Sequence, residues 1–506
     1  MLSQVHSFVL RGIDPIACEV EVDVADRGLP KTTIVGLPDA AVRESIERVR
    51  SAIENSGFVF PDARLLVSLA PGDVRKEGPV FDLPIAVGLL LAVRAVRTER
   101  HKRLLFAGEL ALDGRLRPVS GVINLALLAK RIGADGVVVP VECAGEATAV
   151  EGIEVYPAGT LGAVVGFLNG DHEIEPATPA SVDLALARAA ASVDFAEVKG
   201  QEAVKRALVV AAAGAHNLLL VGPPGTGKTM MARALPGILP PMTRDEALEV
   251  TRIYSSVGQV PPRCPLITAR PVRSPHHTAS QAALIGGGTV PRPGEVSLAH
   301  RGVLFLDELP EFARTVLETL RQPLEDGHVT IARAQATIRL PARFMLVAAM
   351  NPTPKGDTPR DAVGQREMDR YLSKLSGPLI DRIDVHVEAP PVPYQRLTEA
   401  KPGTDSATLR GQVVAAREIQ LKRNGSSLKP NAALRGSELD KLAPLDDASQ
   451  RLVKQAMTEL GLSARAFDKV RRLARTIADL DERETIELAH VSEAIGYRLL
   501  DRNSAG

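Results

Sequence analysis

Tryptophan is absent from the 506 residues, and aromatic side chains make up only 3% of them. That leaves few platforms on which bases could stack. Charge of neither sign is in excess, with 61 Lys+Arg against 61 Asp+Glu. Bulk attraction to a polyanion is thereby excluded, and any nucleic-acid contact has to come from a local patch. Cysteine is scarce: Cys18, Cys143 and Cys264 lie far apart without CxxC spacing. This fits a reducing compartment and argues against a structural zinc built from cysteines. The longest apolar run, LPIAVGLLLAV (83–93), is about half of the roughly 20 residues a spanning helix needs. The opening MLSQVHSFVLRGID lacks the basic and apolar regions of a signal peptide. The expectation is a cytoplasmic chain without membrane contact. What remains, 45% hydrophobic and 24% charged, is globular and long enough for about two to four domains.

Hydrophobic patterning divides the chain. Residues 1–172 alternate strands (CEVEVDVA, LLVSLA, DGVVVP) with helices (AAVRESIERVRSAIENSG, NLALLAKRIGA). Residues 173–193 start acidic and Pro-containing, then turn Ala-rich, as a linker running into a helix does. A second α/β block covers 194–393 and closes on the Pro-rich EAPPVPYQ. The remainder, 394–506, is helical by period, and basic residues outnumber acidic ones about two to one between 410 and 475.

HNLLLVGPPGTGKTMMARAL is an apolar strand, a glycine-rich turn and a helix. Gly222, Pro223, Pro224, Gly225, Thr226, Gly227, Lys228 and Thr229 fill the pattern GxxxxGK[ST] in the context that a phosphate cradle requires. Glycines let backbone N–H groups turn inward, and the helix N-terminus adds partial positive charge. Lys228 is then the ligand of the β- and γ-phosphates, and Thr229 a ligand of Mg²⁺. GVLFLDELPEF (302–312) is a buried strand ending in two acids. It carries Asp307 to the carboxyl edge of the sheet, where such sheets bind ligands. Asp307 is the candidate second Mg²⁺ residue, and Glu308 the candidate base for the attacking water. FMLVAAMNP (344–352) ends in Asn351, a candidate water-positioning residue, although an Asn-Pro turn closing a strand explains it too. In LSGPLIDRID (375–384), Arg382 suits the neutralisation of charge on a transferred phosphate. It equally suits a surface salt-bridge cluster with Asp381 and Asp384, and nothing local decides.

The P-loop, Asp307-Glu308, Asn351 and Arg382 stand in the order and context of the AAA+ ATPases. GPLIDRID, SPHHTASQAALIGGG and PRPGEVSLAHRGVLFLDELPEF resemble the magnesium-chelatase motor subunit more narrowly. The chain as a whole, from FVLRGIDPIACEVEVDV to HVSEAIGYRLLD, resembles the bacterial YifB/ComM group. That resemblance implies a multidomain α/β protein: an N-terminal Lon-protease-like (S5 domain 2-type) α/β domain, a central P-loop AAA+ α/β domain and a C-terminal helical lid. It implies ATP and Mg²⁺ as cofactors, and a homo-oligomeric, hexameric ring in which Arg382 serves a neighbour. It also implies action on single-stranded or branched DNA, as a helicase or branch-migration motor in recombination or natural transformation. Arg465, in the first turn of SARAFDKVRRLARTIADL, matches the family's second sensor arginine, with Arg471, Arg472 and Arg475 as rivals. GHVTIARAQATIRLP (327–341) resembles the hairpin that projects into the pore, with Arg333 near its tip as the DNA-contacting candidate; an ordinary packed hairpin is the alternative.

Two departures from the families matter. Lon-type proteases need a serine after Gly-Pro and a lysine further on, where this chain has Val80 and Ile123. Neither can attack a carbonyl or shuttle a proton. Many YifB/ComM relatives carry a cysteine-rich insertion after the asparagine; here Thr353 and Lys355 stand where its first cysteines would fall, so no zinc is expected. Other readings are a chelatase-type motor remodelling a protein partner for metal insertion, and a nucleotide-gated scaffold.

Overall fold

A computed structural model describes residues 1–25, 29–179, 193–261, 264–288, 290–333, 336–353, 362–392, 403–426, 429–460 and 462–498. The helix expected within 180–192 and the segment 354–361 lie outside the described residues. Two compact units result: residues 1–187 with 243–268, and residues 188–242 with 269–506. Among the described residues no helix is long and apolar enough to cross a membrane.

The first unit is built on a seven-stranded sheet. Its order is Lys31–Val35, Arg64–Ala70, Asp14–Ala25, Leu2–Arg11, Leu104–Phe106, Gly136–Pro140, Glu154–Ala158. Alternation fixes its inner face, for Val20, Val22 and Val24 are buried along one strand. The helix Asp82–Ala92 is apolar almost all round and correspondingly buried. Val80 packs against this core, and Ile123 is fully buried near the start of the helix Val122–Ile132. Both positions are packing sites. The helix Arg244–Ser256, capped by Thr243 and Glu246, belongs to this unit. Its Arg252 Nε donates to Asn124 Oδ1 at 3.1 Å. The buried Glu146 carboxylate accepts from Ile123 N at 2.7 Å and from the Ser255 hydroxyl.

In the second unit a five-stranded, all-parallel sheet runs in the order Val272–Arg273, Val303–Leu306, Met345–Met350, Leu218–Val221, Val385–Glu388. The three middle strands are buried along their whole length, as continuous apolar runs in a sheet covered on both faces must be. Each fully buried Leu or Val side chain there contributes roughly 1.5–3 kcal/mol of transfer free energy. The C-terminal helices Ser406–Asn424, Asp447–Leu460, Ala464–Leu480 and Leu488–Gly496 share this core, with Val413, Leu473 and Ile477 in one cluster with Leu218 and Leu220. The architecture is mixed α/β with a parallel-sheet core.

Candidate active site

Parallel strands bring their carboxyl ends to one edge, and three motifs meet there. The strand Leu218–Val221 runs into the glycine turn, where Gly225 (φ 79°) and Gly227 (φ 85°) adopt the left-handed conformation that glycine takes without steric cost. A Cβ at Gly222 would lie 2.3 Å from the Ala389 carbonyl oxygen, so only glycine fits between the strands. At Gly225 and Gly227 a Cβ would meet nothing within 4 Å: the loop faces open space. Pro224 and Gly225 are exposed, while Pro223 is half-buried and Thr226 is buried with its hydroxyl donating to Pro223 O at 3.0 Å.

Lys228 opens the next helix, Lys228–Ala234. Its Nζ donates to Gly222 O at 2.7 Å, Pro223 O at 2.9 Å and Asn351 Oδ1 at 3.3 Å. These oxygens satisfy an ammonium that is nearly buried. Burial lowers its pKa, and the Asp307 carboxylate works the other way. Thr229 Oγ1 donates to Asp307 Oδ2 at 2.8 Å, while Asp307 Oδ1 accepts from Glu308 N at 3.0 Å. A hydroxyl and a carboxylate in contact beside an open loop are the hard-oxygen donor set that Mg²⁺ takes. The residues present therefore fit MgATP. Glu308 sits at φ 52° with an exposed carboxylate, whose Oε2 lies 3.3 Å from His277 Nδ1.

Arg382 is elsewhere. Its carbonyl oxygen accepts from Asn217 Nδ2 at 2.8 Å, and Asn217 immediately precedes the strand Leu218–Val221. That end is the amino end, opposite the P-loop; four residues at about 3.3 Å each put roughly 13 Å between the two edges. The Arg382 guanidinium donates through Nη1 to Pro378 O and through Nη2 to Glu325 Oε1, and its Nε is buried without a partner among the described residues. Arg465 is exposed, with Nη1 at 3.6 Å from Asp381 Oδ2, so it lies at the same edge. Its rivals differ. Arg471 is buried on Asp440 (2.8 Å) and the carbonyls of Leu439 and Ala443, and Arg475 on Asp479 and the Glu484 carbonyl. Arg333 ends the strand His328–Arg333, paired antiparallel with Ala336–Pro341; its side chain lies outside the described residues.

The fold thus brings Gly222–Thr229, Asp307, Glu308 and Asn351 to one place, and Arg382 with Arg465 to another. Sequence patterns do not single out Asn217, His277 or Glu325. The run SPHHTASQ is the only hint of the second; nothing marks the other two.

Three family descriptions match: "Subunit ChlI of Mg-chelatase" over residues 20–143, "Magnesium chelatase, subunit ChlI" over 194–397, and "Magnesium chelatase, subunit ChlI C-terminal" over 403–498. Among curated proteins, the chain is 44% identical over 505 residues to competence protein ComM of Haemophilus influenzae, covering 99% of this chain and 98% of that one. It is 43% identical over 510 residues to YifB of Escherichia coli, with coverage of 99% and 98%. It is 27% identical over 266 residues to the magnesium-chelatase 38 kDa subunit of Rhodobacter capsulatus, covering 47% of this chain and 72% of that one. With its P-loop, acid pair and strand-end asparagine converging on one edge, the chain belongs to the YifB/ComM-type, magnesium-chelatase-related family of AAA+ ATPases.

Proposed function

We propose that the protein is a ring-forming AAA+ motor, hexameric by family, whose hydrolytic site is completed by the neighbouring protomer and whose work is done on DNA. The observation that carries the first half is the position of Arg382, hydrogen-bonded to Asn217 at the amino edge of the sheet and so remote from the P-loop of its own chain. Its unmet Nε donor supports the same reading.

In this reading Lys228 exchanges its carbonyl partners for β- and γ-phosphate oxygens. Thr229 and Asp307 hold Mg²⁺, which when bound supplies charge to the phosphate oxygens. Glu308 accepts the proton of the attacking water, Asn351 orients that water, and the neighbour's Arg382 neutralises the charge that develops on the transferred phosphoryl group. Arg465, beside Asp381, reports on the neighbour's nucleotide from the same edge. The N-terminal domain is a Lon-type fold stripped of peptidase chemistry, with Val80 and Ile123 turned to packing, and the C-terminal helices act as the lid. Zinc plays no part.

DNA as the polymer rests on the name of the Haemophilus relative, a competence protein, and on the hairpin His328–Arg333/Ala336–Pro341 with Arg333 at its end. A cationic loop can track a phosphate backbone without reading bases. The test is the ATPase rate with and without single-stranded and branched DNA at two salt concentrations. Stimulation that fades with salt is the expected result. No response to DNA, with a response to a protein partner, would replace the DNA motor by a chelatase-type one.

A further inference from the structure

Arg382 is only 11% exposed, and two partners hold its guanidinium. Pro378 O takes Nη1 from within the same turn, and the Glu325 carboxylate takes Nη2 from a different part of the chain. Glu325 lies on the helix Arg321–Asp326, which ends at Gly327 (φ 68°) and passes directly into the hairpin strand His328–Arg333. That junction is stiff. Gln322 binds the hairpin through Thr330, with Oε1 accepting from Thr330 N at 3.3 Å and Nε2 donating to its hydroxyl at 3.4 Å. The hairpin's far strand closes on Gly327 O through Ala342 N at 2.9 Å. Arg435, from the C-terminal helical region, donates to Glu325 O at 2.8 Å. Glu325 therefore holds the finger through its carboxylate and the C-terminal region through its main-chain oxygen, on the short helix that leads into the hairpin.

We infer that Glu325 is the positioning residue of Arg382: it fixes the guanidinium before a neighbour arrives and ties its orientation to the base of the hairpin. An arginine left to itself on a surface samples many rotamers, and ordering it at the moment of reaction costs rate. A carboxylate on Nη2 removes that freedom while leaving N–H donors unused, since a guanidinium carries five and only two are engaged by the bonds above. The inference rests on the reading that Arg382 acts on the adjacent protomer.

Mixed rings test it. Arg382→Ala protomers keep their own cradle but lack a finger, and Glu308→Gln protomers have a finger but no base. Mixing the two restores ATPase activity if the finger works across the interface. Replacing the donor by Glu308→Gln/Glu325→Ala is expected to cut the restored rate between about fivefold and a hundredfold at unchanged KM for ATP. Glu308→Gln/Glu325→Gln, which keeps length and an acceptor oxygen, should recover part of it. Glu325→Ala on the acceptor side, combined with Arg382→Ala, should leave the restored rate as it was. Equal restoration by donors with and without Glu325 overturns the inference, as does an equal loss from the acceptor side, which marks a general structural defect. If Glu308→Gln donors restore nothing, the finger reading itself fails and takes this one with it.

Discussion

The Asn217 side chain donates to the carbonyl oxygen of Arg382 at 2.8 Å, and its main-chain oxygen accepts from Asp384 N at 3.0 Å. The arginine turn is thus fastened to the residue just before the P-loop strand, at the end of that strand away from the glycine loop. On the proposed reading, a guanidinium anchored there serves the site of a neighbouring protomer. Two measurements follow. Arg382→Ala should lower kcat by roughly 10³-fold or more with little change in nucleotide affinity. Specific activity of the unmodified protein should also fall as it is diluted below its assembly concentration. A rate per protomer that stays constant on dilution into the monomeric range would refute a shared site.

On the other edge the prediction separates binding from turnover. Among the described residues Glu308 is joined to the cradle only through its own N–H on Asp307, and its exposed carboxylate points to His277 instead. Glu308→Gln should therefore bind ATP as the parent does and hydrolyse it at least about a hundredfold more slowly. Lys228→Ala should lose binding itself, because the ammonium is the only cation among the described residues of the loop. Equilibrium binding of a fluorescent ATP analogue, read beside single-turnover hydrolysis, distinguishes the two. A Glu308→Gln protein that fails to bind nucleotide would contradict this division of labour.

Much of this is legible in the residues because each motif has a local cause. A buried apolar strand must end somewhere, and the glycines, acids and asparagine at those ends announce which edge is used; Gly222–Thr229, Asp307-Glu308 and Asn351 need only parallel strands to converge. The amphipathic stretch 463–480 likewise forms the helix Ala464–Leu480 with Ser463 as its cap, accepting from Ala466 N at 3.2 Å. What cannot be read is long-range. Asn217 is an ordinary strand-preceding residue until Arg382, 165 positions later, is found on it. Glu325 is one acid among many until the hairpin base and the finger turn meet around it. The grouping of residues 243–268 with the N-terminal unit depends on pairings such as Ser255 with Glu146, which no periodicity encodes.

The arginines of the helix Ala464–Leu480 make a sharp comparison. Arg471 holds three carbonyl contacts and Asp440 in a buried setting, so Arg471→Ala should cost about 2–4 kcal/mol of stability by leaving those acceptors unmet. Arg465 is exposed on a loose 3.6 Å ion pair, and its loss should change stability by no more than about 0.5 kcal/mol. Its effect should appear instead in ATPase activity at saturating protein. Thermal melts and turnover measured on both variants test the assignment; an Arg465→Ala protein that hydrolyses normally would remove that residue from the site.

Thiol chemistry offers a check on the first unit. Burial pushes the Cys18 thiol up to about 12 and the Cys143 thiol up to about 11, and Cys264 is raised by the same cause. Since the thiolate is the nucleophile, Cys18 and Cys143 should resist alkylation by iodoacetamide at pH 8 in the folded protein and react fully in denaturant. Mass spectrometry of labelled peptides reads this directly. Rapid native labelling of Cys18 would mean that the sheet core around Val20 and Val22 opens far more readily than its packing implies.

The last prediction concerns the polymer. If Arg333 meets a phosphate, Arg333→Ala should weaken DNA stimulation of the ATPase about equally for all sequences, because a backbone contact carries no base information. The logarithmic salt dependence of DNA binding should also become shallower, by about 0.9 for each duplex phosphate no longer neutralised and about 0.7 for one on a single strand. The rate without DNA should not change, since among the described residues neither strand of the hairpin supplies a residue to the cradle, the acid pair or the finger turn. An unchanged salt slope with reduced basal turnover would mean that the hairpin packs against its own protein and supports the fold, and the proposed contact with DNA would lose its structural support.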